Sequence, residues 1–399
     1  MAFEDLLSTS PRTWADVHSQ LEGSLFPDDW KAAGVWAVDV LEDELGHTWP
    51  ADVAAASGKP LLKVFLAVRF LPKLAELLEF ALQLRLLSSS PGYASVRKSL
   101  CRDLRPEVVA GAFVQLGLAS LELRRSGAVS LECRPEGSRW PADVLVASPS
   151  GLVPVETFVL VPGAEMRSKV GYLDKVGKLL EDLSAQYDLS FDCTFSEIPD
   201  EPPEVWLAEV ETRARRLVGT TELTSPFASI RLIPASADGV QSNSLVGPEV
   251  IYDGWSRVAG RLCRKAEQVG SNRAWLRCDA NEGLWHISDF AWKTLAEKTA
   301  RLATLVRDAL RSAQNLEGVV ISGGPISRPN HLWGESVRAT DGAWGLRRLL
   351  PVGRMRETIV IPLRGALGGE VWRDIYNEES GWLLWGCSEA GIAAPGIRP

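Results

Sequence analysis

Histidine is scarce in this chain. The four residues, His18, His47, His286 and His331, stand far apart, and the six cysteines (Cys101, Cys133, Cys193, Cys263, Cys278 and Cys387) form no C-x-x-C pair. Zinc sites and small disulfide scaffolds both need such residues at close, regular spacing, so neither is expected to organise the fold. The cysteines read instead as small buried residues of a reducing compartment. No serine lies in a G-x-S-x-G elbow and no Ser-His or Cys-His signature occurs, which argues against covalent catalysis. A long apolar run is missing too: the richest stretch, Leu61 to Leu87, is broken by Lys63, Arg69, Lys73, Glu76, Glu79 and Arg85. No membrane span is expected. The opening MAFEDLLSTSP has two acids and no basic stretch ahead of an apolar core, unlike a secretory signal, so a cytoplasmic location is expected. Positive charge is also in deficit, with 43 Lys+Arg against 51 Asp+Glu and a net charge of −8. The chain as a whole does not attract phosphate backbones, and a nucleic-acid site would need a local basic patch.

What is present is the composition of a folded protein, 46% hydrophobic and 24% charged, over 399 residues, more than one core usually organises. Fifteen tryptophans stand beside five tyrosines; several lie in polar surroundings (GSRWP, GLWH, HLWGE), yet core and rim packing is the expected role.

Along the chain, Pro11 to about Leu100 carries only helical signals, with Val35, Val38, Leu41 and Leu45 at spacings of three and four and a helix break at Pro72. From Arg105 a helix leads to Gly127; then AVSLECR and ADVLVAS alternate, and LVPVETFVLV is a nearly continuous apolar strand. A helix carrying Val170, Leu173, Val176, Leu179, Leu180 and Leu183 follows, then the strand LSFDCTF, a helix from Val205 to Val218 and the strand SIRLIP. Ala235 to Pro248 has the composition of a linker. Beyond it lie a helix (Val250 to Val269), the strand AWLRC, a helix (Trp292 to Ala313), the strand GVVIS, a Gly/Pro/Arg-rich loop from Gly323 to Gly345, and the strand TIVIPL. Ser322-Gly323-Gly324 follows a strand but lacks a P-loop lysine and reads as a turn. The expected fold is α/β: a helical region 1–98, a mixed-sheet domain 99–235 and a C-terminal α/β region 249–399.

The informative pair is Asp143, entering one strand, and Glu156, within the next, joined by the turn Ser148-Pro149-Ser150-Gly151. Two carboxylates at a sheet edge can hold Mg²⁺, which polarises a phosphodiester and activates a bound water. On this pattern, residues 105 to about 186 resemble the PD-(D/E)xK nuclease superfamily, restriction-endonuclease-like in fold. The resemblance implies that Asp143 and Glu156 bind metal and that a lysine two residues after the glutamate completes the site. Here that position is Phe158, and Gln115 stands where many members have a glutamate. The lysine could come instead from the next helix, through Lys169 or Lys175. Separately, Arg257, Arg261, Arg264 and Lys265 recur at helical spacing as a basic stripe able to meet phosphates.

Three readings stand. The foremost is a non-catalytic nuclease-like protein that binds nucleic acid or a protein partner, in DNA processing or defence. The others are an active Mg²⁺-dependent nuclease with a relocated lysine, and a structural or assembly protein acting through protein contacts, homo-oligomers included.

Overall fold

The helical signals of the first hundred residues become α1 (Trp14–Glu22), α2 (Asp28–Leu45), α3 (Trp49–Ala55), α4 (Leu71–Leu87) and α5 (Tyr93–Arg102). A capping box starts α1: Thr13 Oγ1 accepts from the Asp16 amide at 3.1 Å, and the Asp16 carboxylate accepts from the Thr13 amide at 2.8 Å. Pro72 falls in the first turn of α4, where a missing N–H costs no helical bond. This computed structural model describes residues 13–55, 71–160, 164–234, 243–247, 255–269, 273–280, 294–323, 335–339, 342–350, 354–363 and 369–396. The stretch of the apolar run before Pro72 lies largely outside them.

Helix α6 (Pro106–Ser126) opens on a proline and closes at Gly127, whose φ of +76° suits a residue without Cβ. The antiparallel meander β1 (Ser130–Cys133), β2 (Ala142–Ser148) and β3 (Gly151–Val159) follows. Next come α7 (Ala164–Tyr187), β4 (Leu189–Phe195), α8 (Pro203–Ala214), β5 (Thr221–Thr224), β6 (Ala228–Pro234) and β7 (Ser244–Val246). The chain continues through α9 (Trp255–Gln268), β8 (Ala274–Asp279), α10 (Leu295–Ala309), β9 (Leu316–Gly323), β10 (Glu335–Arg338), β11 (Trp344–Leu350), β12 (Arg354–Pro362) and α11 (Gly369–Asn377). A short 3-10 turn (Glu379–Gly381) and α12 (Trp382–Glu389) complete the order.

Two compact units result. One joins Met1–Val161 to Trp255–Pro399; the other is Pro162–Gly254. The first holds an eight-stranded sheet in the order β1-β2-β3-β8-β9-β12-β11-β10, parallel only where β8 meets β3 and β9. The protein is therefore α/β, with a helical N-terminal region ahead of a mixed sheet. The division expected from sequence, at 98/99 and 235/249, does not coincide with these units: residues 255–399 extend the sheet begun by β1–β3, and the N-terminal helices share its core. That core runs from Trp14, Trp30 and Leu78 through Val144, Val155 and Val320 to Trp372 and Trp382, so most described tryptophans pack inside. On the opposite face α10 docks, and Lys298 and Arg347 both bind the fully buried Glu357, at 3.0 and 2.6 Å.

The second unit has its own sheet, β5-β6-β4-β7, and its own core around Val176, Phe191, Phe195, Trp206 and Ile230. Strand β7 lies inside the segment read as a linker, and β10 and β11 inside or against the segment read as a loop. Among the described residues no helix is long and apolar enough to cross a membrane.

Candidate functional site

The antiparallel pairing of β2 with β3 ends at Val144 opposite Val155, and the next residue on each strand at that end is an acid, Asp143 and Glu156. A third acid, Glu132 on β1, stands beside them in a left-handed conformation, φ +48°. Its approach depends on Gly92, whose φ is +83° and where a Cβ would lie 1.5 Å from the carbonyl oxygen of Leu131.

Gln115 of α6 ties the acids together. Its Nε2 donates to Glu132 Oε1 at 2.8 Å and to the carbonyl of Asp143 at 2.9 Å. Eleven or so ångströms along the helix, the fully buried Glu122 accepts from the Ala147 amide at 2.9 Å and pairs with Arg125, so α6 is fixed to β2 at two points. Asp143 Oδ2 accepts from both the amide (2.6 Å) and the hydroxyl (2.8 Å) of Thr157.

Gln115, Glu132, Asp143 and Thr157 line a cavity of about 380 Å³ together with Phe158, Arg261 and Lys265. Both cations come from α9, a helix more than a hundred residues downstream of Glu132. The Lys265 ammonium lies 5.9 Å from the Phe158 ring centroid, so the Phe158 ring faces a lysine from a distant part of the chain.

The electrostatics follow from burial and crowding. Burial pushes the Glu156 carboxyl up to about 8, with repulsion from Asp143 next and Lys265 partly offsetting it. Asp143 is raised by burial against the lowering effect of its Thr157 bonds and Lys265, and Glu132 is raised by burial against its Gln115 bond. Burial thus works against the charged form of all three acids beside Arg261 and Lys265.

Comparison with known proteins matches the chain to no family model, no curated protein and no solved structure.

Of the residues singled out by sequence, Asp143, Gln115 and Phe158 line this cavity with Arg261 and Lys265 of the basic stripe, while Glu156 is not among the lining residues and meets them through the charges of Asp143 and Lys265. Arg264 is exposed and Arg257 lies on the first turn of the same helix. Lys169 and Lys175 lie on α7 in the other unit, where Lys175 is ion-paired with Glu204. Sequence reasoning passed over Glu132 because AVSLECR reads as an ordinary alternating strand; no local signal marks it. The oxygen donors have the chemistry that Mg²⁺ prefers. Among the described residues, however, no three His, Cys, Asp or Glu side chains converge closely enough to hold a metal ion.

Proposed function

We propose that this cavity is a phosphodiester-binding site of the PD-(D/E)xK kind and that the chain binds nucleic acid there without cutting it. The observation that carries the reading is the convergence on one cavity of Glu132 and Asp143 with Arg261 and Lys265. Two cations meet phosphate oxygens, and burial, which raises the Asp143 and Glu132 carboxyls, works against the charge that would repel a phosphate. The leading helix ending in glycine, the Asp143 strand and the Glu156 strand follow the order that carries the resemblance, whereas the long helix directly after them belongs to the other unit and the lysine at the cavity comes from α9. A place in DNA processing or in defence against foreign DNA is what the resemblance suggests. Phe158 in place of a lysine and Gln115 in place of a glutamate are what favour binding over cleavage.

The test is fluorescence anisotropy with single- and double-stranded DNA and RNA across salt, run beside plasmid nicking with Mg²⁺ or Mn²⁺. Binding is expected to weaken at least about tenfold when Arg261→Ala and Lys265→Ala are combined, with the salt slope reduced by about 2. Nicking that Asp143→Ala and Glu156→Ala each abolish would replace this reading with an active nuclease whose lysine is Lys265. Absence of binding by the folded wild type would leave contacts with another protein as the role.

A further inference from the structure

A second polar cluster lies on the same sheet, outside the lining of the Asp143 cavity, around the carboxyl ends of the parallel strands β8 and β9. Arg277 and Asp279 come from β8, Arg348 from β11 and Arg356 from β12, and the register places Arg348 directly opposite Arg356. Like charges in that relation repel. Glu379 holds them, accepting from Arg348 Nη1 at 3.3 Å and from Arg356 Nη1 at 2.9 Å. The Tyr376 ring lies against two of the guanidiniums, 5.8 Å from Arg277 Cζ and 5.4 Å from Arg348 Cζ. The Arg277 and Arg348 side chains are 5% and 10% exposed, whereas that of Arg356 is 37% exposed, so the cluster reaches solvent on its side.

Within the protein these donors are incompletely met. Arg277 Nη1 donates to the Cys278 carbonyl at 2.6 Å, and Nη2 stands 3.9 Å from Asp279 Oδ2. Buried Arg277 Nε and Arg348 Nη2 make no hydrogen bond among the described residues. Three guanidiniums face two carboxylates, Asp279 and Glu379, with Glu79 acting on Arg356 as a lesser charge. Buried polar groups that the protein leaves unmet call for an explanation, a bound anion among them. In open α/β sheets, ligands are taken up beyond the carboxyl ends of parallel strands.

We propose that this cluster binds a phosphate group, which accepts from Arg277 Nε and Arg348 Nη2, with Arg356 at the mouth. The phosphate is either that of a small molecule or the terminal phosphate of a nucleic-acid strand. The proposal stands apart from the reading of the Asp143 cavity, since it uses none of the same residues.

The test titrates inorganic phosphate into the full chain at constant ionic strength, by calorimetry and by NMR of the ¹⁵N-labelled arginine Nε–H groups. Saturable binding is expected, with the Arg277 Nε–H signal displaced and the affinity read from that signal reduced about tenfold in Arg356→Gln. Arg356→Gln is chosen because its side chain is the most exposed of the three, while Arg348→Gln risks misfolding. Tighter binding of a 5′-phosphorylated oligonucleotide than of its unphosphorylated twin, lost in Arg356→Gln, would assign a strand end; equal binding of the two with phosphate still saturable would assign a small phosphate ligand. A folded wild type that shows no saturable response, or an Arg356→Gln variant that binds phosphate undiminished, would overturn the proposal.

Discussion

Glu156 is the residue whose environment most alters its chemistry. Its carboxyl is pushed from an ordinary 4.5 to about 8, first by burial and then by Asp143. Between those values the folded protein holds a proton that the unfolded chain has released, so stability is greatest below about 4.5 and falls as pH rises through about 8. Each pH unit within that window is worth up to about 1.4 kcal/mol for a fully protected group, and partial exposure makes about 1–3 kcal/mol in total a fair expectation. Thermal unfolding should show Tm falling by several degrees from pH 6 to pH 8.5, and Glu156→Gln should flatten that slope while raising Tm at the alkaline end. A wild-type Tm constant over this range would mean that the acids are not crowded as described. The same proton links to binding, because loss of it above pH 8 sets a negative charge beside Lys265, and nucleic-acid affinity should fall there in the wild type but not in Glu156→Gln.

Helix α6 is the element that makes the site a fixed object. Gln115 and Glu122 anchor it to the two ends of β2, and Glu122 has no exposure to solvent. Replacing Glu122 by alanine leaves the Ala147 amide and Arg125 without that acceptor, and the expected cost is about 3–5 kcal/mol by chemical denaturation. A loss below about 1 kcal/mol would show that α6 docks through its apolar face alone. This anchoring was only partly legible in the sequence. The helix itself, its end at Gly127 and the three strands after it were readable, because apolar periodicity and glycine placement report local structure directly. What Gln115 and Glu122 bind on β2 was not, since there each meets a backbone group that no pattern encodes. Short strands such as β7 and β10 were hidden for a related reason: three or four residues within Gly- and Ser-rich surroundings carry too few alternations to register.

At the scale of the whole molecule, the decisive feature is that Pro162–Gly254 interrupts a single sheet. Strand β3, which bears Glu156, pairs in parallel with β8 across an insertion, and the helix that supplies Arg261 and Lys265 lies just after it. Read along the chain, the nearest lysines to Glu156 are on α7, which is why Lys169 and Lys175 were the natural candidates; read in space, the lysine at the acids is Lys265. An interruption of this kind demands an insert that folds without help, or the sheet strands on either side would be separated by a disordered tether during folding. The insert has the means: a four-stranded sheet, two helices and a core of Val176, Phe191, Phe195, Trp206 and Ile230. Expressed alone, residues 162–254 should therefore unfold cooperatively with heat and give a dispersed amide spectrum, and Trp206→Ala should abolish both, since truncating a buried tryptophan costs about 3–5 kcal/mol in a domain of modest total stability. A fragment that is collapsed but non-cooperative would mean that the insert takes its structure from the larger unit. In that case the long sequence gap between Glu156 and Lys265 would belong to one folding unit, and the acids and their cations would have to assemble in a single step.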